Sequence, residues 1–115
     1  MKESVYVKDI IQACDGKLIY QGNFDYVKWV ISSGLMSDVL TTDEEEVLLL
    51  TNLTTTQVIR TADMIGANAV MISNRKAIPQ DTINMATELG ITVVQSYQPI
   101  FETCCLLSHL FIKEK

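Results

Sequence analysis

The sequence predicts an α/β fold, a layered sandwich with a largely parallel central sheet, from three observations. Between Glu46 and Ser96, short apolar runs alternate with helical patterns. A loop bearing hydroxyls or amides follows each run, and glycine closes two of the helical patterns. Alternating strand and helix signals of this kind build crossover units, whose strands lie parallel and covered on both faces.

The elements follow in order. Ser4 is a candidate N-cap for a first helix carrying Val7, Ile10, Ile11 and Cys14 at i, i+3, i+4 and i+7. Gly16 is expected at the left-handed position that ends it. Lys17 to Tyr20 reads as a short strand and Gln21-Gly22-Asn23 as a turn. From Tyr26 to Ile31, Val27, Trp29 and Ile31 alternate with Tyr26, Lys28 and Val30, a strand partly exposed at Lys28. After Ser32-Ser33-Gly34, Leu35-Met36 and Val39-Leu40 support about two helical turns. Asp43-Glu44-Glu45-Glu46 is a solvated connection.

Val47-Leu48-Leu49-Leu50 then leads through Thr51-Asn52-Leu53-Thr54-Thr55-Thr56 into a helix from Gln57 to Ile65. Its inner face carries Val58, Ile59, Ala62 and Ile65, and Gly66 stops it. Ala69-Val70-Met71-Ile72 leads into Ser73-Asn74-Arg75-Lys76, and Pro79 fits the first helical position of the next helix. Ile83, Ala86 and Leu89 form that helix's apolar face, with Gly90 after it. Thr92-Val93-Val94 leads into Gln95-Ser96-Tyr97-Gln98, and Pro99 opens a last helix from Ile100 to about Ile112. Apolar residues wrap most of that helix. A helix apolar all round is buried all round, so a second copy of the chain is expected against it.

The 115 residues read as one domain, 1–115. Mean hydropathy is +0.19, and 48% of residues are hydrophobic. Either both sheet faces are covered, therefore, or apolar surface is shared with another subunit. The net charge of −5, with Arg75-Lys76 as the only adjacent cations, argues against a nucleic-acid partner. No apolar run approaches the roughly 20 residues that span a bilayer. The N-terminus has no signal-peptide pattern, so a cytoplasmic protein without a membrane partner is expected. Three cysteines, two of them adjacent, make no disulfide framework and are expected as buried thiols.

The chemistry-bearing patterns are few. Cys105 and His109 share a helix face at i and i+4, but two ligands fall short of a zinc site, and no metal or cofactor is expected. The acidic run lacks the interspersed Gly and Asn of a calcium loop. It should sit at the amino end of its strand. No GxxxxGK[ST] or GxGxxG occurs, and no nucleophile–base–acid triad can be assembled around a single histidine.

The loop Thr51, Asn52, Thr54, Thr55, Thr56 and Gln57 is the candidate ligand site. It turns from strand to helix where helix N–H groups are unpaired and the dipole favours an anion. Ser73, Asn74 and Arg75 should lie on the same edge. A plain reading of the loop also fits, with Thr54 or Thr55 capping the helix and the other threonines making strand-end hydrogen bonds.

The strings Gly34-Leu35-Met36-Ser37-Asp38-Val39-Leu40, Val47 through Ile59 and Ala69 through Arg75, with the closing Pro99-Ile100-Phe101-Glu102, resemble stand-alone DRTGG-domain proteins. The resemblance runs from about Tyr26 to Leu110. It implies a fold like the N-terminal domain of HPr kinase/phosphorylase, without the kinase site. It also implies a role in regulation or assembly, self-association, and adenine nucleotides as the ligand class. The Asp-Arg-Thr-Gly-Gly string itself is absent, the corresponding stretch being roughly Asn23 to Val30. Gln57 stands where related proteins carry Asn. No kinase activity is carried over.

The expected function is a non-catalytic regulatory module, homodimeric, sensing a small anion such as an adenine nucleotide. A second class fits the same chain: an interaction module that docks a partner enzyme through its apolar C-terminal helix and binds no small molecule.

Overall fold

Apolar residues on both sides of a strand require cover on both sides, and three runs of this chain meet that condition. In the computed structural model, which describes residues 3–41 and 43–112, β5 (Val47–Thr51), β6 (Ala69–Ser73) and β7 (Thr92–Ser96) are buried at every position. They form the centre of a five-stranded sheet with β2 (Lys17–Tyr20) and β4 (Trp29–Ser32), in the order β2-β7-β6-β5-β4. β4 through β7 are parallel, and β2 pairs antiparallel with β7. A two-stranded antiparallel pair, β1 (Val5–Tyr6) with β3 (Tyr26–Val27), lies apart from that sheet.

Side-chain alternation sorts the core into two layers. Val47, Leu49, Val70, Ile72 and Val93 face α2 (Met36–Val39), α3 (Thr56–Met64) and α4 (Gln80–Leu89). Leu48, Leu50, Met71 and Val94 face α1 (Val7–Cys14) and α5 (Ile100–Phe111). The result is a three-layer α/β/α sandwich, as the pattern of runs predicts. No helix among the described residues is long and apolar enough to cross a membrane.

Several local expectations change. The first helix starts after Tyr6 and not at Ser4, because Val5 and Tyr6 are engaged in pairing with β3. Its left-handed residue is Asp15 (φ 51°), and the Gly16 N–H closes back on the Ile11 carbonyl at 2.9 Å. Gly16 is small for another reason: an added Cβ would lie 3.0 Å from the Gln95 carbonyl. The stretch 26–31 divides at Lys28, whose N–H donates to the Glu46 carbonyl (2.8 Å) and whose ammonium meets the Glu46 carboxylate (3.3 Å).

Pro79 and Pro99 sit one residue before the first helical position, with extended ψ of 143° and 155°. Their carbonyls accept the first helical N–H groups, from Thr82 and Thr103, at 3.0 Å each. That is the N-cap role.

The expected burial of the thiols holds only for Cys14. Cys104 is half-buried, while Cys105 and His109 are exposed.

Candidate functional site

Parallel strands deliver their carboxyl ends to one rim, and here four corners meet there: residues 32–34 after β4, 51–55 after β5, 73–76 after β6 and 96–99 after β7. Hydrogen bonds join neighbouring corners. The Asn74 side-chain amide donates to the Asn52 carbonyl at 3.0 Å. Asn52 Oδ1 lies against Gly34, 3.6 Å from where a Cβ would stand. Thr82 of α4 donates to the Thr54 carbonyl at 2.6 Å, fixing the loop that enters α3.

The predicted residues divide into three groups. Thr51 is fully buried, and its hydroxyl accepts the Leu53 N–H at 3.2 Å, the strand-end bond of the plain reading. Ser73 is also buried, but on the α5 side. Its hydroxyl donates to the Gln98 carbonyl and lies 3.2 Å from the Thr103 hydroxyl, which in turn meets Ser96 at 2.9 Å. Thr51 and Ser73 are therefore held beneath the rim by partners within the chain.

Asn52, Thr55, Gln57 and Arg75 are exposed, and Thr54, Thr56 and Asn74 half-exposed. Thr55 occupies the N-cap of α3 in extended geometry without a side-chain cap bond, so its hydroxyl does not cap the helix. The Val58 N–H already donates to the Thr55 carbonyl at 3.1 Å, and helix geometry gives the N–H groups of Thr56 and Gln57 before it no intrahelical acceptor.

Charge is distributed unevenly among helix starts. The first turns of α1, α2, α4 and α5 carry Asp9, Asp38, Asp81 and Glu102, whereas that of α3 carries no acid. A carboxylate at a helix start interacts favourably with the dipole, and the first turn of α3 carries none. The acidic run lies at the opposite edge, with the Glu46 N–H on the Gly66 carbonyl at 3.2 Å, so it does not oppose an anion at the rim.

One part of the rim was not among the predicted residues. The connection after β6 enters α4 on one face, and the connection after β7 enters α5 on the other. Loops that part to opposite faces leave a crevice between them in open α/β sheets. Here side chains bridge it. Gln95 Nε2 donates to the carbonyls of Asn74 (2.7 Å) and Lys76 (2.8 Å), and Arg75 Nε donates to the Tyr97 carbonyl (3.2 Å). Arg75 is thus drawn toward β7 and away from the Thr-rich loop. The signal in the sequence was the polar run Gln95-Ser96-Tyr97-Gln98, the third hydroxyl- or amide-bearing corner.

Chemistry elsewhere is sparse. Burial pushes the Cys14 thiol up from its ordinary range, backbone hydrogen bonds offsetting part of the effect, so it is held as the neutral thiol. Among the described residues no group of three His, Cys, Asp or Glu side chains could hold a metal. A groove of about 390 Å³ opens between the C-terminal halves of α3 and α4, lined by Arg60, Asp63, Met64, Met85, Glu88 and Leu89. None of the predicted residues lines it.

No protein-family model matches the chain, and no curated protein does. Among solved structures, the chain is similar to the CBS and DRTGG domains of the regulatory region of the Clostridium perfringens pyrophosphatase, complexed with its activator diadenosine tetraphosphate. The TM-score is 0.70 at 11% identity, over 96% of this chain and 51% of that one. The chain spans about half the length of that structure. The likeness is one of fold.

Proposed function

We propose that the chain is a single DRTGG-like unit that acts as a non-catalytic, homodimeric regulatory module. It senses a small anionic ligand, an adenine nucleotide, at the rim between β5 and β6. The observation that carries this reading is the acid-free start of α3, set on a rim where Asn74 ties its corner to that of Asn52. In this reading the N–H groups of Thr56 and Gln57 at the start of α3 hold the phosphate. The Thr54, Thr55 and Thr56 hydroxyls and the Gln57 amide orient it, and Arg75, held on the Tyr97 carbonyl, and Lys76 add positive potential from the neighbouring corner. The fold relative supports the ligand class, since that regulatory region was seen with diadenosine tetraphosphate.

The test is calorimetric titration of the purified chain with ATP and, separately, with inorganic phosphate. Saturable ATP binding is expected. The variant Thr56→Asp places a carboxylate where the phosphate would sit, and it should weaken ATP binding at least tenfold. It should leave stability unchanged or raise it by about 0.3–1 kcal/mol through the helix dipole. Absence of ATP binding at millimolar ligand would remove the sensing role. The exposed Phe101 and Ile112 at the two ends of α5 would then favour a module that docks a partner enzyme.

A further inference from the structure

The exposed arc of α5, continued by its C-cap Ile112, has an internal order. Thr103 and Leu107 point into the core, while Phe101, Glu102, Cys105, Ser108, His109 and Ile112 face solvent. Phe101 is 72% exposed and Ile112 71%. These two lie about three turns apart on one stripe, with the small Cys105 and Ser108 between them. The stripe reads the same in both directions: large apolar, small, small, large apolar. Glu102 and His109, of opposite character and two turns apart, flank it on one side.

In an isologous twofold contact residue i meets residue j and j meets i, so an antiparallel pairing of this stripe sets apolar against apolar and small against small. We infer that a second copy of this chain packs on this face, with the two α5 helices antiparallel and the axis between residues 106 and 107. Phe101 then covers the partner's Ile112, and Cys105 lies across from the partner's Ser108, where small side chains allow close approach. Glu102 stands about 3 Å of helical rise from the partner's His109, within side-chain reach, and the macrodipoles oppose. A parallel arrangement would instead set Glu102 and the partner's His109 on opposite flanks of the seam and align the macrodipoles. This inference rests on the homodimeric part of the reading above and is independent of the ligand.

Sedimentation velocity over a concentration series of the full chain tests it. The native chain should sediment as a dimer. Phe101→Glu should weaken association at least tenfold with an unchanged far-ultraviolet spectrum, because the side chain it replaces is solvent-exposed. Glu102→Lys should also weaken the dimer, and Glu102→Lys combined with His109→Glu should restore it. A chain that is monomeric at every concentration would overturn both this interface and the homodimeric reading. A dimer indifferent to all three variants would overturn the interface alone.

Discussion

At the scale of single residues, the hydroxyl cluster under α5 shows how polar groups are accommodated in an apolar layer. Thr103 is fully buried, and its hydroxyl lies within hydrogen-bonding distance of Ser73, Ser96 and the carbonyls of Gln98 and Pro99. Thr103→Val keeps the shape and removes the hub, leaving Ser73 and Ser96 each with one partner fewer. A loss of about 1–3 kcal/mol is expected, read as a lower denaturant midpoint with unchanged slope; an unchanged midpoint would show that the network contributes nothing net. The same residues explain why the sequence misplaced the ends of the strands. Thr51, Ser73, Gln95 and Ser96 read as loop chemistry because they are polar, yet each lies inside a strand. Their partners come from loops and from α5, which local sequence cannot supply.

Among elements, the central strands and their helices were legible because each signal agreed with the next. Apolar runs doubly covered, an apolar helical face, and then Gly66 or Gly90 at positive φ (74° and 71°) all describe the same crossover. Of the weaker elements, β1 escaped for want of length and β3 was read as one strand with β4. β1 and β3 hold two residues each, and only their mutual pairing defines them. Gly22 marks a junction that periodicity cannot register. Its backbone passes so close to residues 90 and 91 that an added Cβ would stand 2.2 Å from the Gly90 carbonyl oxygen, while Asn23 N–H donates to that same oxygen at 2.8 Å. Gly22→Ala must therefore move backbone against backbone, and a melting-temperature loss equivalent to about 1–3 kcal/mol is expected. A variant as stable as the parent would mean that this turn yields freely. The last helix was legible in composition but not in placement. Its pattern, apolar around most of the circumference, suggested complete burial, whereas half of that circumference faces solvent in the single chain.

Taken whole, the molecule separates its charges and its corners. The acidic connection 43–46 enters the sheet at the amino edge, while Arg75 and Lys76 stand at the carboxyl rim beside the acid-free start of α3. Convergence of the Thr54 and Asn74 corners was legible, since successive parallel strands must deliver their turns to one edge. The division of the rim was not. That α4 and α5 depart on opposite faces is a property of the three-layer arrangement, and it draws Arg75 toward Tyr97 rather than toward Asn52. The central claim is that the rim above β5 and β6 binds an anion. Amide-shift NMR of the full chain, titrated with ATP, examines it most directly. Saturable shifts concentrated at Asn52, Thr55, Thr56, Gln57 and Asn74 are expected, and they should be absent in Thr56→Asp. A spectrum unmoved through millimolar ATP, or shifts confined to the amino edge around Glu46 and Gly66, would contradict it.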